Sequence, residues 1–297
     1  MRSAAALCLV TCIIAAGCGG SSSAKEEPDA TLKALLHAPG EDVAIVPGAA
    51  DFGPGNIRLT FLVVDGQSRV VTRPRAKVWL ARSLDGKPFL ETTARSEQIG
   101  VEGGEDADVG AIFVTRFDLP KPGKYWLLAE PIGGRKIQAV GNVVVNDKPM
   151  APAVGDAAVP ADTPTLENAT IKQLSTSHVP DRELYRISVK DAIATKVPFV
   201  VTFATPAYCQ SRTCGPVVDV VSAVRKREAG SNVRFIHVEV YQDNDPAKGE
   251  NRWFKEWHLP SEPWVFLVGP GGKVRERFEG TVSVGELDAA VKKYLLA

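Results

Sequence analysis

Along this chain the rhythm of apolar positions changes once, near residue 150. Before it, short apolar runs at residues 57–64, 76–81, 110–117, 123–130 and 138–145 are separated by Gly, Pro and Asp. Runs of that length, rich in Val and aromatic residues and bounded by turn formers, predict strands. After it, strand-like and helix-like rhythms alternate. Residues 199–203 are continuously apolar, the pattern of a strand covered on both faces. Between residues 215 and 228, Val217, Val218, Val220, Val221 and Val224 recur at helical spacing. Residues 233–240 and 264–268 again read as strands. A Gly-Pro-Gly-Gly turn at 269–272 leads into a hairpin strand, and Leu287, Val291, Tyr294 and Leu295 give the last helix its apolar face. With residues 181–189 leading into a short helix at 190–196, and another helix at 251–257, the predicted order of this half is β-α-β-α-β-α-β-β-α.

Three segments carry neither rhythm. Residues 147–165 are rich in Pro and Ala and read as an inter-domain linker. Residues 18–30, Gly/Ser-rich and then charged, read as a flexible tether. The first residues run from Met1-Arg2 through a mostly apolar stretch too short to span a bilayer, which reads as a secretory signal over residues 1–17. That stretch ends Ile14-Ala-Ala-Gly-Cys18. The small residues before Cys18 resemble the bacterial lipobox, and this resemblance implies a lipid on Cys18 and a place on the extracytoplasmic face of the cell membrane. The expected organisation is a folded unit at 31–146 and a second at 166–297, with the lipid as the membrane contact.

Composition sharpens this in two places. Thirty-five basic residues balance 35 acidic ones, which argues against a nucleic-acid partner. Of the five cysteines, Cys8, Cys12 and Cys18 belong to the expected signal and anchor, so Cys209 and Cys214 remain as a pair in a compartment where disulfides persist. The pair follows the apolar run at 199–203 and precedes the valine-rich helix. A helix amino end lowers a thiol pKa and so favours the thiolate, the nucleophilic form. Within one helix five residues rotate about 140° beyond a full turn, so the two sulfurs meet only if Cys209 lies in the loop and Cys214 at the helix start. Thr213 is the candidate cap for that helix, and Pro216 is compatible with its first turn.

These patterns resemble two known families. The turn at Pro120-Lys-Pro-Gly-Lys-Tyr-Trp126 and about seven expected strands are similar to an immunoglobulin-like sandwich, so 31–146 is expected to be an all-β domain of that kind. The order of the second half, the cysteine pair after Phe203-Ala204, the segment Leu259-Pro-Ser-Glu-Pro263-Trp264, and Glu279-Gly280 before the last helix resemble the thioredoxin-like superfamily. That resemblance implies an α/β thioredoxin-like fold for 166–297. It further implies thiol–disulfide exchange through Cys209 and Cys214, with partners among the protein thiols or disulfides of exported proteins or a membrane electron donor, and no bound cofactor. It also implies that the block Glu262, Pro263 and Trp264 offers backbone groups to a bound substrate strand, Pro263 keeping metal from the thiols. The spacing departs from the superfamily's Cys-x-x-Cys, Tyr208 replaces the usual Trp, and Thr202 stands where a buried acid often moves protons. Either cysteine can therefore be the attacking thiol.

Other readings use the same residues. Thr205-Pro-Ala-Tyr-Cys209 is similar to a peroxiredoxin entry, in which Cys209 attacks peroxide, Cys214 resolves the sulfenate and an arginine such as Arg212 assists. Two thiolates with His178, His237 or His258 make a soft-metal set of the kind that suits copper. A permanent Cys209–Cys214 bridge in a non-catalytic binding module is the main competitor, with Trp253, Trp257 and Trp264 as a candidate peptide groove. The acidic run at 102–108 reads as a solvated hairpin loop rather than a calcium site.

Overall fold

The computed structural model describes residues 30–36, 43–134 and 136–296. The expected signal, tether and Cys18 lie outside the described residues. After a one-turn helix, α1 (Leu32–Leu35), seven strands follow: β1 (Val43–Pro47), β2 (Gly55–Asp65), β3 (Arg75–Ala81), β4 (Leu90–Gln98), β5 (Ala111–Leu119), β6 (Gly123–Pro131) and β7 (Ala139–Val145). All pair antiparallel in one sheet of order β1-β2-β5-β4-β3-β6-β7. Alternate residues of β2, β3, β5 and β6 turn Phe61, Val63, Val78, Phe113 and Leu127 into a common core. The sheet curls until its first and last strands meet. Ile45 of β1 packs on Gly141 of β7, where a Cβ would come within 3.2 Å of it, and Phe52 bridges to Val145.

The immunoglobulin-like sandwich is therefore corrected to a single, nearly closed, barrel-like sheet. The reason is β4, Leu-Glu-Thr-Thr-Ala-Arg-Ser-Glu-Gln, which buries only Ala94 and so gives no apolar run. It pairs with β3 on one side and β5 on the other, joining strands that a sandwich would divide between two sheets.

The second half opens with α2 (Ile171–Leu174), a 3-10 turn at Arg182–Tyr185 and α3 (Val189–Ala194). Then come β8 (Phe199–Phe203), α4 (Cys214–Arg227), β9 (Arg234–Val238), α5 (Arg252–Glu256), β10 (Trp264–Val268), β11 (Val274–Glu279) and α6 (Val284–Tyr294). Four strands form a sheet of order β11-β10-β8-β9, in which only β8 and β9 run parallel. The strand expected at 181–189 is absent. Asp181 accepts from Glu183 N and starts a 3-10 turn, and Ser188 caps α3, so local hydrogen bonds take this backbone out of strand geometry. The order β-α-β-α-β-α-β-β-α does not hold, and the α/β thioredoxin-like class is corrected with it. The described chain holds more strand than helix, and its helices are short. None of them is long and apolar enough to cross a membrane.

The valine face of α4 and the apolar face of α6 pack on one side of the four-stranded sheet, over Val200, Val265 and Leu267. Phe199, Val201, Phe203 and Phe266 face the other side, against α3, Phe254, Trp257 and the alanines Ala151, Ala158 and Ala161. Those alanines belong to the Pro/Ala-rich stretch. It has no helix or strand of its own, yet Gly155 N donates to Val274 O and Ala158 N to Gly272 O.

Buried charge ties the two sheets together. Asp51, before β2, receives Met150 N (2.7 Å), Ala151 N (3.0 Å) and the Arg277 guanidinium of β11 (2.8 Å). Arg58 of β2 forks onto both oxygens of Glu286 in α6 at 2.9 and 2.8 Å. Removing one member of a buried pair leaves the other charged and desolvated. Asp51→Ala is accordingly expected to cost about 3–5 kcal/mol, read as a lowered urea midpoint.

Candidate functional site

Two turns bring the sulfurs together. The chain leaves β8 at Ala204, and Tyr208 N closes a turn onto Thr205 O at 3.3 Å. Arg212 N then donates to Cys209 O at 3.1 Å, and Arg212 takes the left-handed conformation, φ 51°, which reverses the chain within four residues. Cys209 thus lies in the loop and Cys214 is the first residue of α4. Their Cα atoms are 5.9 Å apart and their sulfurs form a disulfide. Cys209 is 8% exposed and Cys214 fully buried.

Thr213 occupies the position before the helix but does not cap it. Its backbone is αR and its hydroxyl pairs with Ser211 Oγ at 2.8 Å. Ser211 Oγ in turn lies 3.3 Å from Cys209 Sγ. Pro216, in the first turn, carries no N–H, so Cys214 and Gly215 hold the amides at this helix end.

Beside the bond sits a carboxyl group. Glu262 Oε2 is 3.5 Å from Cys214 Sγ and accepts from Thr205 N at 3.0 Å. Burial pushes its pKa up to about 7; the Thr205 amide acts against this, and the Glu239 carboxylate reinforces it. The sequence placed Glu262 here for its backbone, whereas its side chain is the part that reaches sulfur. The Glu262–Pro263 peptide is cis, and Pro263 O accepts from Gly280 N at 2.9 Å, so that carbonyl is already used within the protein. Trp264 turns the other way. Its indole is stacked on Phe266 in the core opposite the cysteines, with the Arg277 guanidinium over the ring.

Behind the loop, His237 Nε2 lies 2.9 Å from Ala204 O. A carbonyl only accepts, so that nitrogen carries the proton, and Nδ1 accepts from Tyr185 Oη at 2.7 Å. Burial lowers the His237 pKa and reinforces the neutral form. Glu239 Oε1 receives Thr176 N and Oγ1 at 2.6 and 2.9 Å, and Thr176 Oγ1 receives Ala207 N, fixing the loop from below. With both ring nitrogens engaged, His237 is not placed for a metal. His178 is exposed. Among the described residues the one group of Cys, His and acidic side chains with metal-like spacing is Cys209, Cys214 and Glu262, within 4.8 Å of one another. Thiolates, not disulfide sulfurs, are the metal ligands, so the closed bond leaves Glu262 alone. Trp257 and Trp264 are fully buried, and Trp253 Nε1 bonds Asp162 O, so the three tryptophans make no open groove.

The acidic run at 102–108 is where sequence reasoning missed most. It belongs to the β4–β5 loop of the other sheet, and this loop lies on the amino end of α4. Glu105 N donates to Asp219 Oδ2 at 2.6 Å, Glu105 Oε1 accepts from His178 N at 3.3 Å, and Asp108 is 3.7 Å from Arg212. The available signal was Val101 and the paired glycines, which suit close packing better than a solvated tip.

No protein-family model matches the chain, and no curated protein matches it in sequence. The site is therefore read from its own chemistry.

In the folded protein Glu262 keeps its proton to a higher pH than in the unfolded chain, where the ordinary value is 4.5. Folding takes up a proton between that value and about 7, so stability falls as pH rises through this window. Glu262→Gln removes this dependence. The variant is expected to match the wild type at pH 4 and exceed it by about 2–3 kcal/mol at pH 8, measured by urea unfolding at each pH.

Proposed function

We propose that this chain is an exported thiol–disulfide oxidoreductase, held at the extracytoplasmic face of the membrane by lipid on Cys18, whose Cys209–Cys214 bond exchanges with protein thiols and disulfides. The observation that carries this reading is the Glu262 carboxyl group at 3.5 Å from Cys214 Sγ, poised to change protonation near neutral pH. A bridge that only holds a loop closed has no use for a proton carrier, whereas exchange moves a proton at each sulfur.

Cys209 is the less buried sulfur and the one an incoming thiolate reaches. Attack there forms a partner–Cys209 disulfide and breaks the Cys209–Cys214 bond. The electron pair leaves on Cys214 Sγ, at the amino end of α4 where negative charge is favoured, and takes the proton of Glu262. A second thiolate of the partner then attacks the partner sulfur of the mixed disulfide and releases Cys209 as thiolate. The partner dithiol is oxidised to a disulfide and the Cys209–Cys214 pair is reduced. Run in reverse, Glu262 as carboxylate takes the Cys214 proton, and the Cys214 thiolate releases a partner held on Cys209. The peroxidatic reading lacks this support, since Arg212 is exposed and directed to Asp108.

Cys214→Ser is expected to accumulate mixed disulfides through Cys209, seen on non-reducing gels, while Cys209→Ser accumulates few. In the wild type, release of a partner from Cys209 quickens as pH passes about 7. Glu262→Gln is expected to slow this release by about tenfold or more and to abolish the inflection. If neither cysteine variant traps a partner and the bond resists dithiol reagents, Cys209–Cys214 is a structural bridge and the reading fails.

A further inference from the structure

The amino end of α4 is charged from outside its own half of the chain. Its N-cap side chain makes no capping bond, and its first turn holds no acidic residue. What lies there is Glu105. A Cβ at Gly215, the residue after Cys214, would run into Glu105 Oε2, so the carboxylate rests directly on the helix end that carries the buried sulfur. The approach is built in from both sides. A Cβ at Gly104 would collide with Asp219 Oδ2 at 2.5 Å, and one at Gly100 would press on Pro216 Cβ at 3.2 Å. Asp219 fixes the loop by accepting from Glu105 N, and His178 N steadies Glu105 Oε1.

We propose that Glu105 is a positioning residue of the disulfide site, its carboxylate opposing the positive end of α4 and so holding the reduction potential of Cys209–Cys214 down. The inference rests on the exchange reading above. The physics is direct. The helix end stabilises a thiolate on Cys214, which stabilises the reduced pair and makes the bond a stronger oxidant. A negative charge on Gly215 cancels part of that stabilisation. Of the charged and titratable groups around this helix end, Glu262 from the segment before β10 lies against Cys214, Glu105 from the β4–β5 loop lies on Gly215, and Asp219 of α4 holds the Glu105 amide. Asp108 and Arg212 pair at the rim, and Glu239 lies behind. Partial burial raises the Glu105 pKa, the Asp219 carboxylate adding to this and the hydrogen bond from His178 N opposing it.

The test is a dithiol redox titration of the whole chain. Glu105→Gln is expected to raise the potential by about 30 mV, a tenfold change in the exchange equilibrium, and to lower the pKa of the Cys214 thiol in Cys209→Ser. Asp219→Ala, which removes the acceptor that holds Glu105 N while leaving the Glu105 carboxylate in the chain, is expected to shift the potential in the same direction by less, and Glu105→Asp to restore part of the wild-type value. An unchanged potential in Glu105→Gln, whatever happens to its unfolding midpoint, overturns the inference. The potential is an equilibrium quantity, measurable whether or not a partner is ever trapped. Failure here and failure of the exchange reading are thus separate results.

Discussion

Two guanidinium groups, that of Arg58 buried and that of Arg277 partly so, set the frame on which everything else hangs. Arg277 and Arg58 each cross from one half of the fold to the other and end on a carboxylate, Asp51 before β2 and Glu286 in α6, that is itself held by backbone amides or a helix cap. A desolvated ion pair is a poor source of stability but a strict judge of geometry, since each member is costly when its partner moves. Arg277 also reaches Ala151 O, Pro152 O and Asp51 O, so one side chain fixes a strand of the second sheet, the stretch between the sheets and the approach to β2. With the sheets locked in this relation, a loop of the first can rest on a helix of the second.

That relation changes what the site consists of. Cys209 and Cys214 come from one turn, Glu262 from the segment entering β10, and Glu105 from a different sheet altogether. The sulfurs occupy a boundary where the amino end of α4 offers positive potential and the carboxyl groups of Glu262 and Glu105 offer the opposite. On the exchange reading, the balance between them decides how readily the bond accepts electrons, and partial burial of Glu262 and Glu105 weakens the screening by water.

What was legible in the sequence followed apolar periodicity. Strands β2, β3, β5, β6 and β7 of the first half, β8, and the valine face of α4 were readable because burial had written itself into residue type. Rotation per residue made a loop position for Cys209 and a helical one for Cys214 the condition for their sulfurs to meet, and the bond is found in that arrangement. Polar segments were opaque. β4 is a strand because its neighbours supply hydrogen bonds on both edges, not because it buries side chains, and missing it suggested two sheets where there is one. Residues 182–185 looked extended but are taken by local caps. Glu262 was found for its neighbourhood with Pro263, yet its carboxyl chemistry depends on burial that no spacing reveals. Glu105 depends on contact across 110 residues, and the only local hint was Val101 with the paired glycines of its loop.

The stretch from Ala151 to Ala161 has a consequence for how the chain is divided. By composition it is a spacer, and a boundary drawn at residue 165 looks natural. By packing it is wall: three of its alanines close the core beneath β8 and β10, and its amides extend the hydrogen bonding of the β11 hairpin. A fragment beginning at residue 166 would expose Phe199, Phe203 and Phe266 to water on that side. The unit that folds around the cysteines therefore begins before its apparent start, and inheritance of this half as an independent module would require the Pro/Ala-rich segment to travel with it.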